Sequence, residues 1–228
     1  KNGDGGLEKF FTRAEIDWGG ALDGRGLEIA YIDDPVEGYF LHVQGSGALI
    51  VEEKDGTKKR VMVNYAGQNG HPYISMAQEL VKEGLPRQYW TLQGLRRYFK
   101  ENPGEVARVF PRNPSYIFFQ ESSNGPYGAA NTVLVPGHSI AVDYSVFPMG
   151  LFTFFKVKRP EEVPGETDPQ KVPWFEFSRL ALTQDTGGAI RGPGRVDVYW
   201  GEGDYAEMAA GGLHHDGNLF FGILKKKN

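Results

Sequence analysis

The sequence predicts a mainly β protein organised as two sheet-bearing units with a few helices. Three observations carry that prediction. Short apolar runs rich in Val, Ile, Tyr, Phe and Thr recur along the chain, as strands require. The 31 glycines and 14 prolines among 228 residues are too many for a helical protein and suit tight turns between short strands. Helical spacing of apolar residues is confined to one central stretch and one late stretch. With 40% hydrophobic residues, the chain has enough apolar surface for a real core.

In chain order, four strands are expected first, over Leu27–Ile32, Tyr39–Gln44, Ala48–Val51 and Arg60–Tyr65. Asp55-Gly56 marks the turn between the last two, and Lys54, Thr57, Lys58 and Lys59 around it indicate a longer loop that projects into solvent. Three helices follow. One covers Ser75–Glu83 with Ser75 and Gln78 as a capping pair, one covers Thr91–Lys100 with Leu92, Leu95, Arg96 and Phe99 on its apolar side, and one covers Gly104–Phe110. Gly84, Pro86, Asn102-Pro103 and Asn113-Pro114 separate them. Strands return at Tyr116–Gln120, Ser139–Asp143, Leu151–Val157, Phe177–Thr183, Val196–Trp200 and Leu219–Leu224. A helix over Asp204–Leu213, opened by an Asp204/Glu207 capping box, precedes the last of these, and Lys158–Pro173 is a solvated excursion. The natural partition is 27–114 and 115–228, with 1–26 leading in.

Composition excludes several functions. A formal net charge of -4 is unlike the basic footprint of a nucleic-acid binder. The absence of cysteine removes disulfides, thiolate metal sites and a Cys nucleophile. His42, His71, His138, His214 and His215 lack metal-ligand spacing, so neither metal nor cofactor is expected. Gly187-Gly188 and Gly192-Pro193-Gly194 are turns rather than phosphate loops, and the spacing around Ser46 is wrong for a nucleophile elbow. No run approaches the ~20 apolar residues of a membrane span. The polar opening Lys1–Gly6 reads as the middle of a longer polypeptide.

The chemical signal is three aspartates set in strand-like surroundings. Asp143 ends the run Ser139–Val142, Asp185 stands in Gln184-Asp185-Thr186-Gly187-Gly188-Ala189-Ile190, and Asp197 in Arg195-Val196-Asp197-Val198-Tyr199-Trp200-Gly201. A half-buried carboxylate is costly unless it is hydrogen-bonded or protonated, which makes the three a candidate acid/base cluster. Burial among Val196, Val198, Tyr199 and Trp200 is expected to raise the pKa of Asp197, whereas the amides after Asp185 can satisfy an ionised carboxylate there.

These motifs, with Pro148-Met149-Gly150, resemble the three-aspartate domain of the membrane-bound lytic transglycosylase A family. Val43-Gln44-Gly45-Ser46-Gly47, Tyr65 to Tyr73 and Asn113-Pro114-Ser115-Tyr116 resemble its other signatures, in the same order and over nearly the whole chain. The resemblance implies a double-psi β-barrel assembled from both ends of a longer polypeptide and a second β-barrel domain inserted between them, with a groove that accepts a glycan strand. It also implies a missing N-terminal stretch carrying a lipid anchor, the only membrane attachment expected. Residues 1–26 would then lead in from that part of the barrel domain.

By position, the resemblance makes Asp197 the catalytic acid and Asp185 and Asp143 its companions. The implied reaction cleaves the β-1,4 bond between N-acetylmuramic acid and N-acetylglucosamine in peptidoglycan and leaves a 1,6-anhydro end, in the bacterial periplasm at the outer membrane, by a monomer. Glycan contacts are expected from Gln44, Ser46, Gly47, Tyr65, Asn69, Tyr73 and Trp200, whose side chains pair with hydroxyls and acetamido groups or pack on sugar rings, or whose backbone comes close. Two other readings stand beside it: a non-catalytic wall-binding module, and an inverting hydrolase that uses a second aspartate.

Overall fold

The computed structural model describes residues 9–225, so the opening Lys1–Gly6 lies outside the described residues. The chain divides into two units, one reaching from the N-terminus to Trp90 and including Gly94–Pro126, the other formed by Thr91–Gln93 and the chain from Tyr127 onward. Both are sheet-bearing with few helices.

The first unit is built on a three-stranded antiparallel sheet in the order β1 (Ser46–Glu52), β2 (Lys58–Gln68), β3 (Ile117–Ser122). β1 and β2 close through the expected polar loop, where the Thr57 amide bonds the Asp55 carboxylate at 2.9 Å and Gly56 takes φ +82°. Ahead of the sheet come α1 (Arg13–Asp17) and α2 (Pro35–Gln44). After β2 follow α3 (Met76–Lys82), α4 (Leu92–Glu101) and α5 (Gly104–Val109), within two residues of the helices read from sequence.

Two of the four expected leading strands are absent. Tyr39–Gln44 belongs to α2, whose start is fixed by the Asp34 carboxylate accepting from the amides of Val36 and Glu37, with Pro35 in the first turn. Its end is fixed by Gly45 at φ +80°, whose amide bonds the Leu41 carbonyl. These stop signals outweigh the β-favouring composition of the interior. Leu27–Ile32 is irregular and joins neither sheet of the described residues.

The core of this unit gathers Tyr39, Phe40, Val63, Met76, Leu80, Leu95, Phe99, Val109 and Phe110. Tyr39 stacks on Phe110 at 4.2 Å between ring centroids, and Phe99 meets Phe110 edge-on at 4.9 Å. Arg13 of α1 is buried between Tyr39 and Tyr116, donates to Asp17 at 3.2 Å and to the Ser115 carbonyl at 3.0 Å, and so ties the lead-in segment to this unit. His42 is half-buried against Tyr116 and Phe119, and its Nδ1 accepts from the Ile117 amide at 3.2 Å. Because β3 pairs with β2, the stretch from Ser115 to Pro126 belongs to the first unit.

The second unit holds a five-stranded sheet in the order β7-β4-β6-β5-β8, with β4 (Ser139–Ala141), β5 (Phe152–Pro160), β6 (Trp174–Asp185), β7 (Asp197–Val198) and β8 (Asn218–Phe221). β5 and β6 form a long hairpin, so the solvated excursion shortens to 161–173. β6 inserts between β4 and β5 and runs parallel to β4, whereas β7 and β8 pair antiparallel at the two edges. The ladder runs from edge to edge without closing among the described residues. One face packs Ile140, Val142, Phe155 and Ala181 with Phe147, Val157, Phe177, Val196, Val198 and Leu219. The helix α6 (Asp204–Gly212) begins where expected, but Gly203 at φ +89° is its N-cap, Asp204 is its first residue, and the expected capping box does not form.

Candidate active site

The three aspartates converge at the C-terminal end of β4. Ala141, the last residue of that strand, is the register partner of Asp185 on β6 and of Asp197 on β7. The two acids therefore flank one small residue, separated by two strand spacings, roughly 10 Å between backbones. Asp143 follows two residues later, where the chain turns away.

Asp143 is 5% exposed and closed on its surroundings. Its Oδ1 accepts from the Ser145 amide at 3.0 Å and hydroxyl at 2.7 Å, and its Oδ2 accepts from the Gly192 amide at 2.7 Å. The Ser145 side chain, then the Gly192 and Ser145 amides, hold its carboxyl below the usual carboxylate range. Through Gly192 it clamps the loop between β6 and β7 onto the exit of β4.

Asp185 is half-buried at the end of β6. Its Oδ1 accepts from the Ala129 amide at 3.0 Å, and its carbonyl accepts from the Val142 amide. Burial pushes the carboxyl up, the amides of Thr186 and Ala129 only partly offset this, and the negative charge of Asp197 adds to the push. The amides after Asp185 thus contribute as read from sequence but do not win.

Asp197 corrects an expectation. Its side chain is 48% exposed rather than buried, because β7 is a two-residue edge strand with no neighbour on its outer side among the described residues. Arg195 grips it in a fork, Nε to Oδ1 and Nη2 to Oδ2, each at 3.1 Å. Nη1 of the same guanidinium donates to the Ala189 carbonyl at 3.1 Å. The loop that carries Ala189 is braced by buried Ile190, whose amide bonds the Gly187 carbonyl, and by Arg191, which donates to the carbonyls of Gly187 and Ile190. The sequence reading missed Arg195, which stands two residues ahead of Asp197, outside β7, and reaches it from the turn that leads into that strand. Ser145, two residues after Asp143, was within reach of a local turn reading, whereas the Ala129 and Gly192 amides come from distant segments that sequence does not reveal.

Around this centre, Ser139 donates to Gln184 Oε1 at 2.6 Å and accepts from the Val135 amide, and Gln184 Nε2 reaches Thr132. Trp200 packs by Phe177 at 5.6 Å and meets Tyr205 edge-on at 6.3 Å, with its ring half-buried. Among the described residues no group of three or more His, Cys, Asp and Glu is arranged to hold a metal ion.

The expected glycan contacts of the first unit separate into two kinds. Gln44 is exposed at the end of α2, Ser46 and Gly47 open β1, and Tyr65 on β2 is 48% exposed. A Cβ at Gly47 would fall 2.6 Å from Leu41 Cδ1, the tip of a flexible side chain that can turn aside. Asn69, in contrast, is 2% exposed. Its Nδ2 donates to the carbonyls of Phe11 and Pro114 at 2.9 and 2.7 Å, and its Oδ1 accepts from the Tyr116 amide at 2.9 Å, so it fastens three segments and presents nothing to a ligand. Tyr73 is half-buried, and its hydroxyl lies against that of Tyr39, whose own pKa burial has raised.

Comparison with known proteins places this geometry in context. Residues 1–120 match the family described as the MltA specific insert domain, and residues 138–222 match the 3D domain. The membrane-bound lytic murein transglycosylase A of Vibrio cholerae is 33% identical over 212 residues, covering 92% of this chain and 55% of that protein. The protein of the same description from Escherichia coli K12 is 32% identical over 217 residues, 94% of this chain and 56% of its own length. Among solved structures, the membrane-bound lytic murein transglycosylase of Agrobacterium tumefaciens superimposes with a TM-score of 0.79 at 34% identity, covering 95% of this chain and 57% of that one. Escherichia coli MltA with bound chitohexaose gives 0.76 at 29% identity, covering 93% and 60%. The chain spans about half the length of the curated relatives it matches.

Proposed function

Because the chain belongs to the MltA family, we propose that the protein carrying it is a lytic transglycosylase that cleaves the β-1,4 bond between N-acetylmuramic acid and N-acetylglucosamine in peptidoglycan, with Asp197 as acid and then base. The observation that supports this most directly is the position of Asp197, half-exposed and oriented by a fork to Arg195, with Asp185 across Ala141. A carboxyl that must meet a polymer cannot be sealed in a core. Sugar rings that cover it withdraw water from the reacting bond.

The protonated carboxyl donates to the glycosidic oxygen as the bond from C1 of N-acetylmuramic acid breaks, and the N-acetylglucosamine end leaves with that proton. The 6-hydroxyl of the same sugar closes onto C1 and gives its proton to the Asp197 carboxylate, which restores the acid. No water is consumed. One carboxyl suffices because the attack is intramolecular, with a very high effective concentration. Asp185 and Asp143 act as supports. Gln44, Ser46, Gly47, Tyr65 and Trp200 remain the proposed glycan contacts, and the chitohexaose held by Escherichia coli MltA supports glycan binding. The proposed setting is the periplasm at the outer membrane, with a lipid anchor on the longer protein and a monomeric state. No described helix is long and apolar enough to cross a membrane.

The electrostatic contact between Asp185 and Asp197 favours one second reading, an inverting hydrolase in which Asp185 activates water. Mass spectrometry of digested sacculi separates the two. The complete protein should release 1,6-anhydromuramyl ends, and Asp197→Asn should lose roughly 10²–10⁴-fold in rate. Ordinary reducing ends would select hydrolysis, binding without products would select a wall-binding module, and parent-rate release by Asp197→Asn would remove Asp197 from the chemistry.

A further inference from the structure

We infer that Arg195 is a positioning residue for the reaction, holding the Asp197 carboxyl in its reactive orientation. The inference rests on the reading of Asp197 as the acid. Its basis is geometric. The guanidinium meets both oxygens of Asp197 at 3.1 Å and is itself fixed by the Ala189 carbonyl at 3.1 Å. The Ala189 turn is held in turn by buried Ile190 and by the Asp143 clamp on the Gly192 amide.

A half-exposed carboxyl on a two-residue edge strand has no packing to choose its rotamer, so a planar two-point partner is what fixes the direction of its lone pairs. The charges that face Asp197 are few. Arg195 stands on its own segment, and Asp185 on β6 opposes Arg195 with negative charge. β4 contributes only Ile140 and Ala141 in register, while Asp143 beyond them is closed on Ser145 and Gly192 and has Arg191 beside it. Among the described residues, Arg195 is therefore the cation placed to hold both oxygens of the carboxyl that gives a proton to the glycosidic oxygen and later takes one from the 6-hydroxyl.

The test compares the complete parent protein with Arg195→Gln and Arg195→Lys on purified glycan strands. Arg195→Gln should lose roughly tenfold or more in kcat while KM changes by less than about twofold, as expected when an interaction specific to the transition state is removed. Arg195→Lys keeps the charge and loses the fork, so it should recover only part of kcat. A parent-like kcat in Arg195→Gln, or a loss that falls on KM instead of kcat, overturns the proposal. If Arg195→Gln fails to fold, Arg195→Lys decides through its kcat: parent-like turnover removes the need for the fork. Anhydro ends from the parent with parent-like kcat in the variants discard only the role of Arg195. Their absence from the parent discards the role of Asp197 and this inference with it.

Discussion

Asp185 and Asp197 share one register partner, Ala141, and lie on opposite sides of it, one at the end of a twelve-residue central strand and the other on a two-residue edge. The arrangement gives two carboxyls unlike surroundings within electrostatic reach of each other. Burial pushes the inner one up, and a guanidinium grips the outer one.

The raised carboxyl of Asp185 has a stability consequence. An unfolded Asp titrates near ~3.9 and the folded one higher, so its contribution is full below the unfolded value and is lost as pH rises through the folded value. Asp185→Asn keeps an acceptor for the Ala129 amide and removes that loss. Denaturation midpoints should show the variant gaining on the parent as pH rises above ~4 and levelling off once the folded carboxyl has ionised. A difference that does not change with pH would count against this account.

His42 works in the opposite direction. Burial, aided by the charge of Arg13, lowers its pKa to about 3. The unfolded imidazole takes a proton near ~6.5, so stability is full above that value and declines as pH falls from there towards the folded pKa, at about 1.4 kcal/mol per pH unit. His42→Asn retains an acceptor for the Ile117 amide and should flatten the decline. Parallel losses in parent and variant between pH 6.5 and 4 would exclude His42 as the cause.

Asn69→Ala should destabilise the first unit by about 2–4 kcal/mol, because several buried backbone groups lose their partners together. Thermal unfolding measures this directly. Unchanged melting would mean that other groups satisfy those carbonyls.

Tyr65→Ala addresses binding instead of folding. With the ring half-exposed, stability should stay within ~0.5 kcal/mol. The KM for glycan strands should rise several-fold as a sugar-packing face is lost. A parent-like KM would remove Tyr65 from the proposed contacts.

Much of the fold was legible because local chemistry and tertiary packing agree. α3, α4 and α5 follow their capping and breaker residues, and every later strand lies where its apolar run predicts. Tyr39–Gln44 failed as a strand because its composition was weighed above Asp34-Pro35 and Gly45, the residues that start and stop α2. For the site, motif order located all three aspartates, yet their individual environments depend on which strand is an edge. Neighbouring Val and Tyr residues in sequence do not bury Asp197 when, among the described residues, no further strand covers β7. Asn69 shows the converse, an amide in a glycine-rich motif that is spent on three carbonyl and amide partners inside its unit.

The place of β6 in the sheet has a dynamic consequence. Its ladder passes from β5, paired over 174–182, to β4, paired between Leu182 and Asp185, so it is tied along nearly its whole length and its amides should exchange slowly. Among the described residues β7 has a neighbour on one side and two residues with which to hold it, so it should fray earlier. The two acids are thus anchored to segments with different exchange lifetimes: Asp185 ends a long, slowly opening strand, and Asp197 rides on a short one that opens sooner.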